Sequence, residues 1–428
     1  MLFLTAFTFF ASHRLFIVIA CFWLMLAMIE WNWKERYYTL KENHLLAPAL
    51  CFLGLYLMYL VNPLISENTG KAISEWEYQI WCIVAPICVM PLIPKLQRKE
   101  LSLTMILFII SILICATACM AYSTYCYFRT GQTSFFFYTN ATLPDFNPRL
   151  AFNHPSYFTL YETTAWIISV ELFLRKCKWL KYKILKVILF VGLLLFPLHI
   201  ILLQSKIGTV LFGFTLLAYI AIALNHKKRR LGATVLAITS VIAGIAMIAT
   251  TEIGAKLNQR LVTGYFNFKQ ADFNDPSESS SIRVTLWKNA IEIGKKHWFL
   301  GVGTGDVTDQ LHEKAVEKKH TIIASQKFNC HNQYLQVWLG TGIIGLLLFI
   351  GIFGIALIIC IRKRNLSGAI IIVIFSLNLL VECMTERYAG ATLIPIATAV
   401  ICSIPPTMLS SGKSASHSRE ALPSASCA

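Results

Sequence analysis

Long runs of apolar residues, separated by short polar connections, dominate the chain. A helix that crosses about 30 Å of hydrocarbon needs roughly 20 mostly apolar residues. The predicted membrane spans are approximately Leu15–Trp33, Leu45–Ile65, Tyr78–Ile93, Leu101–Tyr127, Tyr157–Leu174, Ile184–Leu203, Ile207–Leu224, Leu231–Thr251, Tyr334–Ile361, Ala369–Thr385 and Ala391–Leu409. The pattern therefore predicts an all-α, polytopic membrane protein of eleven transmembrane helices. Residues 1–14 are apolar but too short to span alone, which leaves open a twelfth helix that begins upstream.

The basic residues alternate between the two sides of this predicted arrangement. The connections on one side, together with the polar tail, hold 21 of the 38 Lys and Arg, whereas the four short connections on the other side hold five. Cytoplasmic connections carry the excess of Lys and Arg in membrane proteins. We therefore expect the amino terminus and residues 252–333 to lie outside the cytoplasm and the tail to lie inside.

The composition and charge of the chain argue against a soluble enzyme and against a nucleic-acid-binding protein. A chain that is 56% hydrophobic and 14% charged, with a mean hydropathy of +0.60, lacks the charged surface of a soluble enzyme. The formal charge of +16 mostly marks topology, so its expected partner is the anionic headgroup of membrane lipids and not nucleic acid.

The spans divide the chain into four regions. These are a transmembrane bundle over residues 1–251, a periplasmic loop subdomain over 252–333, transmembrane helices over 334–409 and a disordered cytoplasmic tail over 410–428. The loop is predicted to hold two interfacial helices, each with one apolar face. They cover Arg283–Trp298, with Val284, Trp287 and Ile291 in line, and Asp306–His320, with Val307, Leu311 and Ala315 in line.

Titratable residues at membrane depth are costly, so each one is a candidate for function. Nearly all of them fall on the outer side: Arg149, Glu162, Lys206, Arg283, His331, Glu382, Glu386 and Arg387. Cations beside a histidine at one membrane face suit an anionic substrate whose hydrophobic part stays in lipid, such as a polyprenyl diphosphate that carries a sugar. The 13 cysteines show no CxxC and no Cys/His metal spacing, so no metal site is expected.

Three motifs carry a resemblance to a known family. They are Ser281-Ile-Arg283-Val-Thr-Leu-Trp287, the glycine-rich Gly301-Val-Gly303-Thr-Gly305, and His331-Asn332-Gln-Tyr334 followed by Gly340-Thr-Gly342. Together they resemble the signature of the O-antigen ligase and polymerase superfamily. Arg149 with His154-Pro155, and Ser205-Lys206, resemble two earlier motifs, although the family often has arginine where this chain has Lys206.

The resemblance implies a glycosyltransferase of the bacterial inner membrane whose active face is periplasmic. It would move a glycan from an undecaprenyl-pyrophosphate carrier to a lipid A core or similar acceptor, by inverting transfer without a metal or other cofactor. In that interpretation His331 is the general base, and Arg149, Lys206 and Arg283 hold the diphosphate. Arg283 also stabilises the leaving group, and Glu162, Asn332 and Tyr334 are candidate supporting residues. A polymerase and a protein O-glycosylating enzyme share this chemistry, so the acceptor stays open.

Each candidate also has a structural interpretation. His331 could cap or anchor a helix, Arg283 could be a surface cation, and Lys206 could be a loop lysine that extends to the headgroups. Glu162 could be a hydrogen-bonded structural carboxylate or the partner of a cation. The glycine-rich motif lacks the βαβ context of a dinucleotide site and fits a turn between the two interfacial helices. A transporter is a weaker alternative, because it would place ionisable residues near the bilayer midplane.

Overall fold

The computed structural model describes residues 13–131, 155–174, 183–203, 205–225 and 279–405. Within these ranges the regular structure is helical and includes no strand, as the hydrophobic pattern predicts. The α-helices in chain order are α1 (His13–Glu30), α2 (Trp33–Glu42), α3 (Leu46–Val61), α4 (Thr69–Tyr78), α5 (Trp81–Val84), α6 (Met90–Leu92), α7 (Arg98–Thr130), α8 (Pro155–Leu174), α9 (Lys183–Leu202), α10 (Lys206–Asn225), α11 (Ser279–Lys296), α12 (Val307–Glu317), α13 (Thr321–Ala324), α14 (Gln333–Arg362), α15 (Leu366–Asn378) and α16 (Tyr388–Ser403).

Five helical stretches among the described residues are long and apolar enough to cross a bilayer. They are Leu46–Leu64, Thr69–Lys95, Arg98–Arg129, Lys183–Leu202 and Gln333–Arg362. A sixth span arises if α1 and α2, whose axes are bent by 106° relative to each other, are counted as one. Three shorter apolar helices lie in α10, α15 and α16. The protein is thus a helical membrane protein, but the predicted count of eleven spans is not confirmed. The predicted span Leu231–Thr251 lies outside the described residues.

Two predicted spans differ most from the structure in their bounds. The third is longer than expected, because helical structure runs from Thr69 to Lys95 and passes through a π-helical segment, Ala85–Val89, beside the prolines. The tenth is shorter, and its predicted end at Thr385 is wrong. Helix α15 ends at Asn378, where the carbonyl of Leu379 accepts a hydrogen bond from the backbone of Gln333 and the chain leaves the helix.

The core of the bundle forms around α8 and α14. Helix α8 packs against α7, α9 and α10, and its aromatic side chains Tyr161 and Trp166 are buried among them. Helix α14 packs against α3, α15 and α16. These contacts carry the first residues of α8, α14 and α16 to neighbouring positions: the hydroxyl of Tyr157 in α8 donates to the carbonyl of Cys383 at 2.9 Å, and that of Tyr161 donates to Ala389 in α16.

The two helices of the loop subdomain form close to their predicted positions. In α12 the predicted face is confirmed, since Val307, Leu311 and Ala315 are all buried. In α11 the predicted face is wrong. The buried apolar residues are Leu286, Ala290 and Ile293, whereas Ile291 is exposed. The reason is that α11 packs both on α12 and on α14, so its buried face is set by two neighbours and not by the apolar stripe alone.

The glycine-rich segment 301–305 is a turn between α11 and α12, as its sequence context indicates. Its first half docks on α14: the backbone N–H of Val302 donates to Leu339 at 2.7 Å, and the N–H of Ile343 donates to Trp298 at 3.0 Å. Gly301 has a φ of 77°, and a Cβ there would lie 2.4 Å from the Leu339 carbonyl oxygen. Glycine is required here both for the left-handed conformation and for the close approach.

The second half of the turn docks on the segment after α3. The N–H of Thr304 donates to the side-chain oxygen of Asn62 at 2.5 Å, and the carboxylate of Asp306 accepts from the N–H groups of Glu67 and Asn68 at 2.8 Å each. These backbone donors would otherwise be unsatisfied. The loop subdomain is thereby fixed to both α3 and α14, the helices that form one side of the bundle.

Replacing Gly301 with alanine is expected to destabilise the docked loop by roughly 2–4 kcal/mol, because it adds both a left-handed residue and a steric overlap. The measurement is the thermal unfolding of the purified protein in detergent, together with protease sensitivity of residues 279–331. Gly354→Ala is the matched control in α14, since a Cβ at Gly354 meets nothing within 4 Å. Equal melting temperatures for the two variants would contradict this account of the turn.

Candidate functional site

The candidate site is built around the first residues of α14. Asn332 is the N-cap of this helix, and its side-chain oxygen accepts hydrogen bonds from the N–H groups of Tyr334 and Leu335 at 3.0 and 3.1 Å. Gln333 is fully buried, and its side-chain oxygen accepts from the N–H of Thr385 at 2.8 Å. These contacts fix the position of His331 and hold the segment after α15 against it.

Glu382 brings the two predicted catalytic residues together. Its Oε1 accepts a hydrogen bond from the guanidinium of Arg283 at 2.7 Å, and its Oε2 lies 3.5 Å from Nδ1 of His331. The Glu382 side chain is only 7% exposed, while Arg283 and His331 are 26% and 28% exposed. A buried carboxylate therefore links a guanidinium and an imidazole, both of which keep part of their surface open to a substrate.

His331 is held in an unusual backbone conformation. Its φ is 45°, which a β-carbon disfavours by crowding the carbonyl oxygen. Asn329 stabilises the turn, because its side-chain oxygen accepts from the N–H of His331 at 3.0 Å. The side-chain amide of Asn329 donates in turn to Glu386 at 2.8 Å, so a second carboxylate is connected to the backbone of His331. Strained residues of this kind occur at functional sites, where the surrounding contacts determine them.

Glu386 lies in the segment between α15 and α16 and has an altered pKa. Burial raises the pKa of Glu386 to about 7, against the opposing influence of the Asn329 hydrogen bond and of the charge on Lys71. The carboxyl group thus changes charge near neutral pH. In its protonated form it costs less to bury, and in its charged form it attracts the cations around it.

Stability is expected to fall as pH rises through this range. The pKa of Glu386 is higher in the folded protein than in the unfolded chain, so the folded state binds the proton more tightly and loses that stabilisation between about pH 4.5 and pH 7. Glu386→Gln should therefore flatten the dependence of the melting temperature on pH, and it should raise the melting temperature at pH 8. The control is Glu313→Gln on the exposed face of α12. A Glu386→Gln profile as steep as wild type would contradict the assignment.

Lys206 lies at the same end of the bundle, at the first position of α10. The hydroxyl of Ser205 accepts from the N–H of Gly208 at 3.1 Å and lies 3.4 Å from the hydroxyl of Ser156 in α8. Since the next residue of α8, Tyr157, contacts Cys383, the start of α10 and the Glu382 segment share one end of the protein. Lys206 is exposed there. The third predicted phosphate ligand, Arg149, lies outside the described residues.

The three supporting candidates have structural partners. Glu162 is fully buried and its Oε1 lies 2.6 Å from Nδ1 of His199 in α9, so the interpretation as a hydrogen-bonded structural carboxylate is the one that fits. Asn332 serves as the helix cap. The hydroxyl of Tyr334 donates to Ser376 at 3.1 Å, and its ring packs edge-on against Phe349.

The sequence identifies Glu382 and Glu386 as titratable residues of the outer side but predicts no partner for either. In the structure each contacts a residue from a distant segment. His199, the partner of Glu162, was also missed. One sequence signal could have indicated these contacts: an acid or a histidine inside an apolar run carries a high free-energy cost and therefore needs a polar partner. The sequence does not show which residue that partner is. Among the described residues, no group of three or more His, Cys, Asp or Glu could hold a metal ion.

Comparison with known proteins gives a family match over part of the chain. Residues 189–350 match the family described as O-antigen ligase. This match supports assigning the chain to the O-antigen ligase and polymerase superfamily. None of the curated proteins compared with the chain matches it.

The O-antigen ligase match spans the residues that the site brings together on the loop and α14. It begins in α9, ends in α14 and includes Lys206, Arg283 and His331. Glu382 lies beyond its end and enters the site only through the fold. The family implies a membrane enzyme of the glycosyltransferase type whose partners are lipid-linked glycans and lipids in general.

Proposed function

We propose that this protein transfers a glycan from undecaprenyl diphosphate to a lipid A core or similar acceptor at the periplasmic face of the bacterial inner membrane. The convergence of Arg283 and His331 on Glu382 is the observation that carries the proposal. The O-antigen ligase match over residues 189–350 supports the reaction class.

The proposed transfer begins at His331. Its Nδ1 faces Glu382, which leaves Nε2 to accept the proton of the acceptor hydroxyl. As the proton moves to Nε2, the hydroxyl oxygen forms a bond to the anomeric carbon from the side opposite the diphosphate. The bond between that carbon and the diphosphate oxygen breaks, and its electron pair stays on the leaving group. One displacement of this kind inverts the anomeric configuration.

The charges in the site match the charges that develop during the transfer. An imidazolium forms on His331 as it takes the proton, and the buried carboxylate of Glu382 stabilises that positive charge. Negative charge accumulates on the departing diphosphate and is held by Arg283, Lys206 and Arg149. Arg283 has five N–H donors, so it can keep one on Glu382 and direct others to phosphate oxygens. Fixed cations would thereby stabilise the diphosphate leaving group, as a bound metal ion does in other glycosyltransferases.

The proposal is tested by the product that accumulates when the protein is inactive. A strain that lacks the protein is complemented with wild type or with His331→Ala at equal membrane abundance, and its surface glycans are separated. Loss of capped lipid A core indicates a ligase, whereas collapse to single repeats indicates a polymerase. Loss of glycan from protein alone indicates protein O-glycosylation. Full-length glycan on lipid A core at wild-type levels in the His331→Ala strain would overturn the general-base role.

Lys206 provides a test of phosphate binding that is separate from proton transfer. Lys206→Arg should retain or raise activity, because arginine offers a bidentate fork to the same oxygens. Lys206→Ala should raise the KM for the lipid-linked donor by about ten-fold, as expected for the loss of one charge-assisted contact. Both are measured with purified donor and acceptor in detergent. Severe loss in Lys206→Arg would indicate a packing constraint instead.

A further inference from the structure

An exposed basic and apolar segment covers the last turn of α11 and the residues directly after it. Lys295, Lys296 and His297 are exposed, and Trp298, Phe299 and Leu300 directly after them are 56%, 48% and 53% exposed. Three consecutive large apolar side chains rarely face water, and such a patch marks contact with another protein or with a membrane. We call residues 295–300 the anchor segment.

The anchor segment is rigidly attached to α14. The carbonyl of Trp298 accepts from the indole N–H of Trp338 at 3.2 Å and from the N–H of Ile343 at 3.0 Å. Gly342 has a φ of 68°, and a Cβ there would lie 1.9 Å from the carbonyl oxygen of Phe299. The backbone of the anchor segment thus fits against a kink in this helix, and its depth in the membrane is fixed by the depth of α14.

The length of α14 places that kink at the edge of the hydrocarbon. The helix has 30 residues and ends at Arg362, where the basic run Arg362–Arg364 marks the opposite headgroup layer. About 20 residues cross the hydrocarbon. Counting back from Arg362 therefore brings the opposite boundary to Gly342 and Ile343. The anchor segment docks there, while His331 precedes α14 on the outer side of this kink.

Charge and polarity along the segment follow the same order as the layers of a lipid leaflet. Trp298, Phe299 and Leu300 lie at the hydrocarbon edge. The next exposed apolar residues of α14 are Ile344, directly after the docking position Ile343, and Leu347, about one turn deeper. Lys295 and Lys296 precede them in the last turn of α11. Amphipathic aromatics favour this interface, and lysines favour the phosphate layer.

We propose that residues 295–300 insert into the lipid leaflet and bind anionic phospholipid, with Trp298, Phe299 and Leu300 among the acyl chains and Lys295 and Lys296 on the headgroup phosphates. This contact sets the height of the Arg283–His331 site above the hydrocarbon. It goes beyond the proposed function and does not depend on it.

Insertion is tested by photo-crosslinking in lipid nanodiscs. A photoreactive phenylalanine analogue is placed at Phe299, at Leu300 or, as a control, at Val316, which is 54% exposed in α12 among charged residues. After illumination, mass spectrometry should find lipid adducts at Phe299 and Leu300 and none at Val316. Absence of adducts at both anchor positions, or equal adducts at Val316, would overturn the insertion.

Headgroup binding is tested with Lys295→Gln and Lys296→Gln. Full-length protein is reconstituted in nanodiscs of phosphatidylcholine alone or mixed with phosphatidylglycerol in equal parts. Native mass spectrometry then counts the retained phosphatidylglycerol. We expect affinity for phosphatidylglycerol to fall about five-fold for each lysine removed, with no change for phosphatidylcholine or for the control Lys319→Gln. Unchanged retention in the double variant, or an equal loss in Lys319→Gln, would overturn the headgroup assignment.

Discussion

Replacing His331 with alanine is expected to lower kcat for glycan transfer by about 10²–10⁴-fold, the usual contribution of a positioned general base. The physical reason is the loss of the only group that the proposal gives for accepting the acceptor's proton. The KM for the lipid-linked donor should change little, because the proposal places the diphosphate on the cations. The measurement is steady-state transfer with purified donor and acceptor at several pH values.

The controls for this prediction separate chemistry from folding. His331 is followed by the cap of α14, so a variant could disturb the helix start. Asn332→Ala removes the cap and its two hydrogen bonds but leaves the imidazole, and it should lower the melting temperature more than His331→Ala does. His312→Ala in α12 removes a histidine from the same subdomain and should leave kcat unchanged. If Asn332→Ala and His331→Ala lost activity in proportion to their loss of stability, the base role would be refuted.

Local sequence signals predict the helices well wherever one neighbour or the bilayer determines the exposed face. Helix α14 matches its predicted span to within one residue at each end, since its apolar run is long and Arg362 ends it. Helix α12 matches its predicted apolar face. In both helices the apolar pattern of the sequence corresponds to the surface that is removed from water, so the pattern alone is enough to predict the helix.

Prediction fails where tertiary contacts override the pattern. Helix α11 carries an apparent stripe that includes Ile291, yet α12 and α14 together bury Leu286, Ala290 and Ile293. Helix α15 ends seven residues before the end of the predicted span, because the carbonyl of Leu379 and the N–H of Thr385 both hydrogen bond to Gln333 and so do not continue the helix. Hydropathy alone cannot reveal a polar partner that lies on another helix.

In the candidate site, too, some features are evident from the sequence and others only from the fold. The residue types were readable, because a histidine that opens a membrane helix and an arginine on the preceding loop are chemically conspicuous. The sequence does not predict that this histidine and this arginine meet at Glu382. Arg283 and Glu382 are separated by 99 positions and His331 lies between them, so only the docking of the loop on α14 brings the three together.

Arg283→Ala is expected to lower kcat by about 10²–10³-fold, as is found when one donor to a developing negative charge is removed. Arg283→Lys should recover only part of this loss, because an ammonium group lacks the planar fork with which Arg283 is proposed to contact Glu382 and phosphate together. The variant also removes the guanidinium partner of the buried Glu382 carboxylate, and loss of one member of a buried ion pair destabilises a protein. A lower rate alone would therefore not establish a role in catalysis.

A double variant distinguishes the two effects of Arg283. In Arg283→Ala/Glu382→Gln the carboxylate becomes a neutral amide of similar shape, so the melting temperature should return toward wild type. The reference for activity is Glu382→Gln alone, because that change by itself removes the carboxylate partner of His331. If Arg283 stabilises the departing diphosphate, kcat of the double variant should fall well below that of Glu382→Gln. If Arg283 only neutralises Glu382, the two variants should have equal kcat, and that result would assign Arg283 to the structure of the site and remove it from the chemistry.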